Sequence, residues 1–194
     1  MTFKKTLYIF LLLAFISGIL QTLPTTLQAL FHYRAENIPS HLYYLWLSPH
    51  LIHLSMLHYI INILCLGIVL FTFKNYFTPL RFFLLFAFSA LMVTLGLWCC
   101  SPQVTDYVGM SGVIYGILAA GLLLSMKKHL LLSLPIYIIV AIKIVYEVFD
   151  GAHLSIQASL GNVVIVDAHL YGYLSGTLFT IVTLLFQKTS NSKI

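Results

Sequence analysis

The sequence predicts an all-α membrane protein that crosses the bilayer with six helices. Of its 194 residues, 60% are hydrophobic and 8% are charged, and the mean hydropathy is +0.98, whereas soluble proteins carry about 25% charged residues. Six long apolar runs follow one another, each near the roughly 20 residues that a membrane-spanning helix needs. The runs lack the alternation of apolar and polar residues that is typical of membrane barrels.

Short polar or Pro- and Gly-containing stretches separate the six predicted helices. We expect one polytopic domain over residues 1–194, because little sequence is left for a soluble domain. The first run is interpreted as a retained helix rather than a signal peptide, since it is long for that role and no small-x-small cleavage motif follows it. The helices are expected near residues 7–23, 54–73, 80–97, 111–126, 130–148 and 168–186.

The basic residues fall on every second connection between these helices, counting both termini. Cytoplasmic loops are enriched in Lys and Arg, so both termini are predicted to be cytoplasmic and residues 24–52, 98–110 and 149–167 to lie outside. The charges form no basic stripe, so no nucleic-acid partner is expected. The residues concerned are Lys4, Lys5, Lys74, Arg81, Lys127, Lys128, Lys188 and Lys193, and the outer connections hold only Arg34.

Few polar residues interrupt the apolar runs, and such residues mark functional sites by default because hydrocarbon disfavours them. His58 and Asn62 are four residues apart and share a face of the second helix. Ser111 begins the fourth helix, and His169 lies in the first turn of the sixth. The predicted topology gives these three helices the same direction, so the four residues should lie at one depth near the outer face.

Serine and histidine at one depth are the residue types that nucleophilic catalysis needs. A serine hydroxyl becomes an effective nucleophile when a base accepts its proton, and neutral histidine suits that role near pH 7 without a third acid. His58, Asn62 and the first amides of the fourth helix are candidate oxyanion donors. Small residues on two helices predict a close contact across which Ser111 and His169 can meet: Gly112, Gly116, Ala120, Gly172 and Gly176.

These residues also have purely structural interpretations. Ser111 can cap its helix, His58 and Asn62 can hold helices together, and glycine stripes occur in ordinary helix packing. Asp167 stands two residues before His169 and cannot share its helix face. We therefore expect Asp167 to cap the sixth helix rather than to act on the histidine.

The motifs resemble those of the rhomboid superfamily of intramembrane serine proteases. The resemblance covers "HLIHLSMLHYIIN", the "GMSG" of 109–112 and "AHLYGYLSG" at 168–176. It implies a six-helix rhomboid-like bundle in which Ser111 and His169 form a catalytic dyad and His58 and Asn62 stabilise the oxyanion. It further implies a supporting role for Gly109, Gly112, Tyr115 and Gly172, with Tyr115 packed beside the histidine.

Within that superfamily, the rhombosortase branch is the closer resemblance, through "YVGMSGVIYGILAAG", the "KIVYE" of 143–147 and "VIVDAHLYGYLSG". It implies a bacterial inner-membrane enzyme that cleaves membrane-anchored proteins with a C-terminal Gly-Gly-containing transmembrane tail. Water or a lipid amine would then accept the acyl group. Lys143 and Glu147 are interpreted as an ion pair, with substrate recognition as the alternative. The Trp-Arg pair of many rhomboids is missing, with "YYLWL" at 43–47 in its place.

Two other functions are alternatives to a protease. A metal site could draw on His50, His53, His58 and His169, yet no HExxH pair or carboxylate completes a familiar ligand set, so neither a metal nor a cofactor is expected. A non-catalytic rhomboid-like protein that binds membrane proteins is disfavoured because both Ser111 and His169 are present. The cysteines, Cys65 and the adjacent pair Cys99 and Cys100, predict no disulfide framework.

Overall fold

The computed structural model describes residues 2–39, 42–150 and 164–191, in which long helices dominate. Helix α1 is Thr2–Gln21, α2 is Met56–Thr72 and α3 is Pro79–Cys100. The segment Ser111–Asp150 is interrupted at His129 by a non-helical backbone (φ −133°, ψ 47°), which divides it into α4 (111–128) and α5 (130–150). Helix α6 is Val166–Asn191. Most of the predicted outer connection 149–167, and Lys193, lie outside the described residues.

The six helices form an all-α membrane bundle, as the composition predicts, and the chain is a multi-pass membrane protein. Among the described residues, four helical segments are long and apolar enough to cross a membrane, with α4 and α5 counted together. Helix α2 is a shorter apolar helix of 17 residues. At 1.5 Å per residue it spans about 26 Å, a little less than the roughly 30 Å of hydrocarbon.

The helix boundaries differ from the prediction by a few residues. Helix α1 begins at Thr2 rather than residue 7, and α6 continues to Asn191 rather than residue 186. Backbone hydrogen bonding continues through polar residues at helix ends, which hydropathy alone does not detect. Helix α2 begins after Ser55, whose hydroxyl accepts a hydrogen bond from the His58 amide at 3.1 Å.

A pair of two-residue strands, which the sequence did not predict, ties the first connection to the loop before α4. Strand β1 (Tyr33–Arg34) runs antiparallel to β2 (Asp106–Tyr107), with Tyr33 opposite Tyr107. Strands this short carry no detectable period. The same connection contains short helical turns at Thr25–Gln28, Ala29–Phe31, Ala35–Asn37, Tyr43–Trp46 and Ser48–His50.

Helices α4 and α6 pack together through glycines rather than large side chains. A Cβ atom added at Gly172 would overlap the Gly112 carbonyl, and one at Gly176 would overlap the Gly116 carbonyl. This register makes the two helices parallel and brings their first turns side by side. The contact is the close approach that the small-residue stripes predict.

Candidate active site

The loop before α4 reaches Ser111 through a backbone that requires glycine. Gly109 has a φ of 127°, which L side chains rarely adopt, and a Cβ there would lie 3.1 Å from Cε1 of His58. The Tyr107 hydroxyl donates to the Gly109 carbonyl at 2.6 Å, and the Gly109 amide donates to the Pro49 carbonyl at 2.9 Å. These contacts fix the direction from which the chain enters α4.

Ser111 and His169 lie within hydrogen-bonding distance of each other. Ser111 is the first residue of α4 and His169 lies in the first turn of α6, and Oγ and Nε2 are 3.0 Å apart. A Cβ atom at Gly112 would stand 2.6 Å from the Ala168 carbonyl oxygen. The glycine therefore permits the approach that brings serine and histidine together.

Tyr115 covers one face of the His169 ring. It lies one turn after Ser111 on α4, and the two ring centroids are 4.5 Å apart with an interplanar angle of 36°. His169 is only 4% exposed. Stacking and burial together restrict the orientations that the imidazole can adopt.

His58 and Asn62 lie beside the same pair of residues. Both are buried, and each lines a cavity that Ser111 and His169 also line. The Asn62 amide donates to the His58 carbonyl at 3.0 Å, a bond within α2 that does not tie two helices together. Nδ1 of His58 has no hydrogen-bond partner among the described residues.

Two cavities meet at Ser111 and His169. The first, of about 210 Å³, has polar lining from His58, Asp106 and Tyr107. The second, of about 460 Å³, is mainly apolar and lies between α2 and α5. A cavity with a mixed polar and apolar lining and a mainly apolar cavity thus adjoin the same two side chains.

Hydrogen-bond donors surround the Ser111 hydroxyl. The first amides of an α-helix have no intrahelical acceptor, and this applies to those of Ser111 and Gly112 at the start of α4. The Tyr107 hydroxyl lies beside them; burial raises its pKa, which the Gly112 amide and the Ser111 hydroxyl partly oppose. The phenol therefore stays protonated and remains a donor at neutral pH.

Lys143 and Glu147 form the predicted ion pair on α5. Nζ and Oε2 are 2.6 Å apart, and the Glu147 side chain is fully buried. Lys143 also donates to the Tyr115 hydroxyl at 2.7 Å. Oε2 of Glu147 lies 3.8 Å from Nδ1 of His169, on the side of the ring away from Ser111.

The four-residue spacing in the sequence pairs Glu147 with Lys143 and gives no connection to His169. A carboxylate inside an apolar helix is a signal for a functional group. Helical spacing shows which residues share a face of α5, whereas it does not show that this face turns toward α6. The neighbour of His169 could therefore be found only from the packing of the helices.

Asp167 lies in the first turn of α6, where a negative charge suits the helix dipole. Its Oδ2 accepts a hydrogen bond from the Gln103 amide at 2.8 Å. Asp167 therefore links α6 to the loop before α4.

The remaining histidines of the metal hypothesis are buried in the first connection. His50 Nε2 lies 3.1 Å from the Thr94 hydroxyl, and the His53 ring packs edge-on against those of His58 and Tyr59. Among the described residues, no three His, Cys, Asp or Glu side chains are grouped to hold a metal ion.

Comparison with known proteins gives a family match. A family model described as "Rhomboid domain" matches residues 40–186, a range that spans α2 to α5 and most of α6 and includes all the site residues described above. No curated protein matches the chain.

Proposed function

The chain belongs to the rhomboid family, whose members are typically intramembrane serine proteases, and we propose that it is an endopeptidase with Ser111 and His169 as its catalytic dyad. The observation that carries this proposal is the 3.0 Å separation between Oγ and Nε2 at the meeting point of two cavities. Burial and the Tyr115 ring, which restrict the imidazole, support it further.

In the acylation step, Ser111 Oγ attacks the carbonyl carbon of the scissile bond while its proton passes to Nε2 of His169. The tetrahedral intermediate collapses when the C–N bond breaks, and His169 returns the proton to the leaving amine. An ester to Ser111 remains. Water then attacks this ester while one of its protons passes to His169, and His169 returns that proton to Ser111 Oγ as the acyl–oxygen bond breaks and the acid leaves.

The developing oxyanion needs donors that point at it before the reaction begins. The Ser111 amide, which has no intrahelical acceptor, meets this requirement, and we assign His58 and Asn62 to the same task. The place of His58 in the lining of the first cavity, beside Ser111 and His169, supports the assignment. Asn62 contributes through its side-chain amide once its bond to the His58 carbonyl is exchanged for one to substrate.

The proposed substrates are membrane-anchored proteins with a C-terminal transmembrane tail. The apolar cavity between α2 and α5 suits a hydrophobic peptide segment lying against Ser111. The "KIVYE" and "VIVDAHLYGYLSG" motifs, which resemble those of rhombosortases, narrow the proposal to tails with a Gly-Gly motif, a hydrophobic segment and a basic end. A lipid amine in place of water would make the enzyme a transferase.

We further propose one domain over residues 1–194 in a bacterial inner membrane. Both termini lie in the cytoplasm and the site opens to the periplasm. The alternation of basic connections along the chain supports this orientation.

The first test is labelling of the detergent-solubilised protein with a fluorophosphonate probe. We expect rapid labelling of the wild type and none of Ser111→Ala or His169→Ala, because the first lacks the nucleophile and the second its base. Thr105→Ala and His129→Ala remove an exposed hydroxyl and an exposed imidazole elsewhere and serve as matched controls. A folded wild type that resists labelling would favour the non-catalytic membrane-protein binder.

The same variants also test the substrate. The reconstituted enzyme should cleave a fusion protein that carries a Gly-Gly-containing tail and leave the matched tail with Ala-Ala intact. Mass spectrometry of the new C-terminus distinguishes a free acid from a lipid adduct. Equal cleavage of both tails would contradict the rhombosortase assignment.

A further inference from the structure

A buried carboxylate lies behind His169, on the opposite side of the ring from Ser111. Glu147 on α5 is fully buried, and its Oε2 is 3.8 Å from Nδ1 of His169. We propose that Glu147 is a positioning residue for the reaction, holding the His169 imidazole through Nδ1 so that Nε2 faces Ser111. The inference rests on the proposed function and adds a third member to the dyad.

The two nitrogens of the imidazole have different roles when His169 acts as a base. To accept the Ser111 proton at Nε2, the neutral ring must carry its own proton on Nδ1. That proton points into a buried environment, where a donor needs an acceptor. Glu147 offers the carboxylate that faces Nδ1.

Each of the two side chains has one buried atom without a hydrogen-bond partner in the described part of the chain, and the carboxylate oxygen that approaches Nδ1 is Oε2, which also accepts from Lys143. Nδ1 of His169 and Oε1 of Glu147 are buried, and neither has a hydrogen-bond partner among the described residues. At 3.8 Å the two side chains are just beyond hydrogen-bonding distance. In sites without substrate, catalytic hydrogen bonds are often long and tighten when substrate binds.

Lys143 keeps the carboxylate ionised in this apolar setting. Its ammonium group donates to Glu147 Oε2 at 2.6 Å and to the Tyr115 hydroxyl at 2.7 Å. Tyr115 in turn stacks on His169. Lys143 and Tyr115 therefore hold the carboxylate and the ring in one connected arrangement, and the carboxylate can stabilise the imidazolium that forms during acylation.

The other acidic side chains that the structure describes are bonded to other residues or lie in an exposed turn. Asp106 pairs with His32, Asp167 accepts from Gln103, and Glu36 is exposed in the first connection. Glu147 is thus the carboxylate that the fold directs at His169.

The test compares fluorophosphonate labelling of the full-length, detergent-solubilised wild type with that of Glu147→Gln, which keeps the size and removes the charge. We expect the maximal inactivation rate to fall roughly 10- to 1,000-fold, part of the 10²–10⁴-fold that a positioned base contributes. The probe concentration at half-maximal rate should stay unchanged. Glu36→Gln makes the same chemical change at an exposed position and should label like the wild type.

A double variant, Lys143→Met/Glu147→Gln, distinguishes a Glu147 that positions His169 from a Glu147 that only neutralises the charge of Lys143. If Glu147 only neutralises Lys143, removing both charges restores the wild-type rate, and the proposal is overturned. If Glu147 positions His169, the double variant stays slow. If Glu147→Gln alone fails to fold, the double variant is compared with the wild type in its place, because the double variant buries no unpaired ammonium group.

Two further outcomes are decisive. Glu147→Gln labelling at the wild-type rate would exclude positioning and leave substrate recognition, which a small probe does not report, as the role of this residue. Labelling of the wild type that is absent, or that persists in Ser111→Ala, would overturn the proposed function itself. These outcomes therefore distinguish a failure of the positioning role of Glu147 from a failure of the proposed protease function.

Discussion

At the scale of single residues, His50 shows how a buried titratable group holds the first connection against the bundle. Its Nε2 donates to the Thr94 hydroxyl, which itself donates to the Trp46 carbonyl. Burial lowers the pKa of His50 from 6.5 to about 4, although the backbone of Ala90 and Gly109 acts in the opposite direction. His50 is therefore neutral in the folded protein at pH 7.

Lowering the pH should reduce the unfolding free energy, because His50 is protonated more readily in the unfolded chain than in the folded protein. Between about pH 6.5 and pH 4 the unfolded chain binds a proton at His50 that the folded protein does not. The unfolding free energy therefore falls as the pH is lowered, by up to about 1.4 kcal/mol per pH unit for one proton. Thermal unfolding of His50→Gln, which retains a donor for Thr94, should show a shallower fall. Parallel curves for the two proteins would contradict this assignment.

At the scale of elements, the contact between α4 and α6 depends on backbone approaching backbone. Gly172 lies against the carbonyl of Gly112, and Gly176 against that of Gly116. Neither site has room for one additional methyl group. The same contact aligns the first turns of the two helices and so sets the distance between Ser111 and His169.

A methyl group at this contact should therefore reduce both stability and labelling. Gly172→Ala forces α4 and α6 apart, and overpacking of this kind costs about 1–3 kcal/mol. Gly67→Ala is the matched control, since its Cβ would meet only the Phe10 ring, at 3.5 Å, an ordinary contact. We expect lower thermal stability and slower fluorophosphonate labelling for Gly172→Ala alone. Equal behaviour of the two variants would show that the helices tolerate separation.

At the scale of the whole molecule, the helix directions agree with the distribution of charge. Helices α2, α4 and α6 run in parallel. The glycine register aligns α4 with α6, while Gly109, just before α4, lies beside His58 in the first turn of α2, and Gly121 lies beside Phe73, just after α2. The connections that follow α2 and α4 therefore lie at the same end of the bundle. Lys74 lies in the first of these connections, Arg81 in the first turn of α3, and Lys127 and Lys128 at the end of α4, so all four lie at this end.

The proposed orientation predicts which end a membrane-impermeant reagent can reach. In a variant with its three native cysteines replaced by serine, Thr105→Cys and Lys128→Cys each introduce one exposed thiol at opposite ends. An impermeant maleimide should label the first in intact spheroplasts, and the second only after lysis. The reverse labelling pattern would show that the protein has the opposite topology, with both termini outside the cytoplasm. Fluorophosphonate labelling of the cysteine-free background checks that it is folded.

Much of this architecture is determined by the sequence, because hydropathy, charge and residue size act locally or over one helix. Composition and six apolar runs predict the all-α membrane bundle, which is confirmed. Small residues at helical spacing indicate the close contact between α4 and α6. The rarity of polar residues in apolar helices indicates a candidate site at Ser111, His169, His58 and Asn62. Their catalytic roles remain proposals.

Only the tertiary structure decides which faces of the helices meet. The two-residue strands β1 and β2 carry no local pattern, and the turn at Gly109 follows from the loop's contacts with Tyr107 and Pro49. The approach of Glu147 to His169 likewise depends on how α5 is rotated against α6. Periodicity along one helix specifies which residues share a face, whereas packing between helices specifies what that face touches.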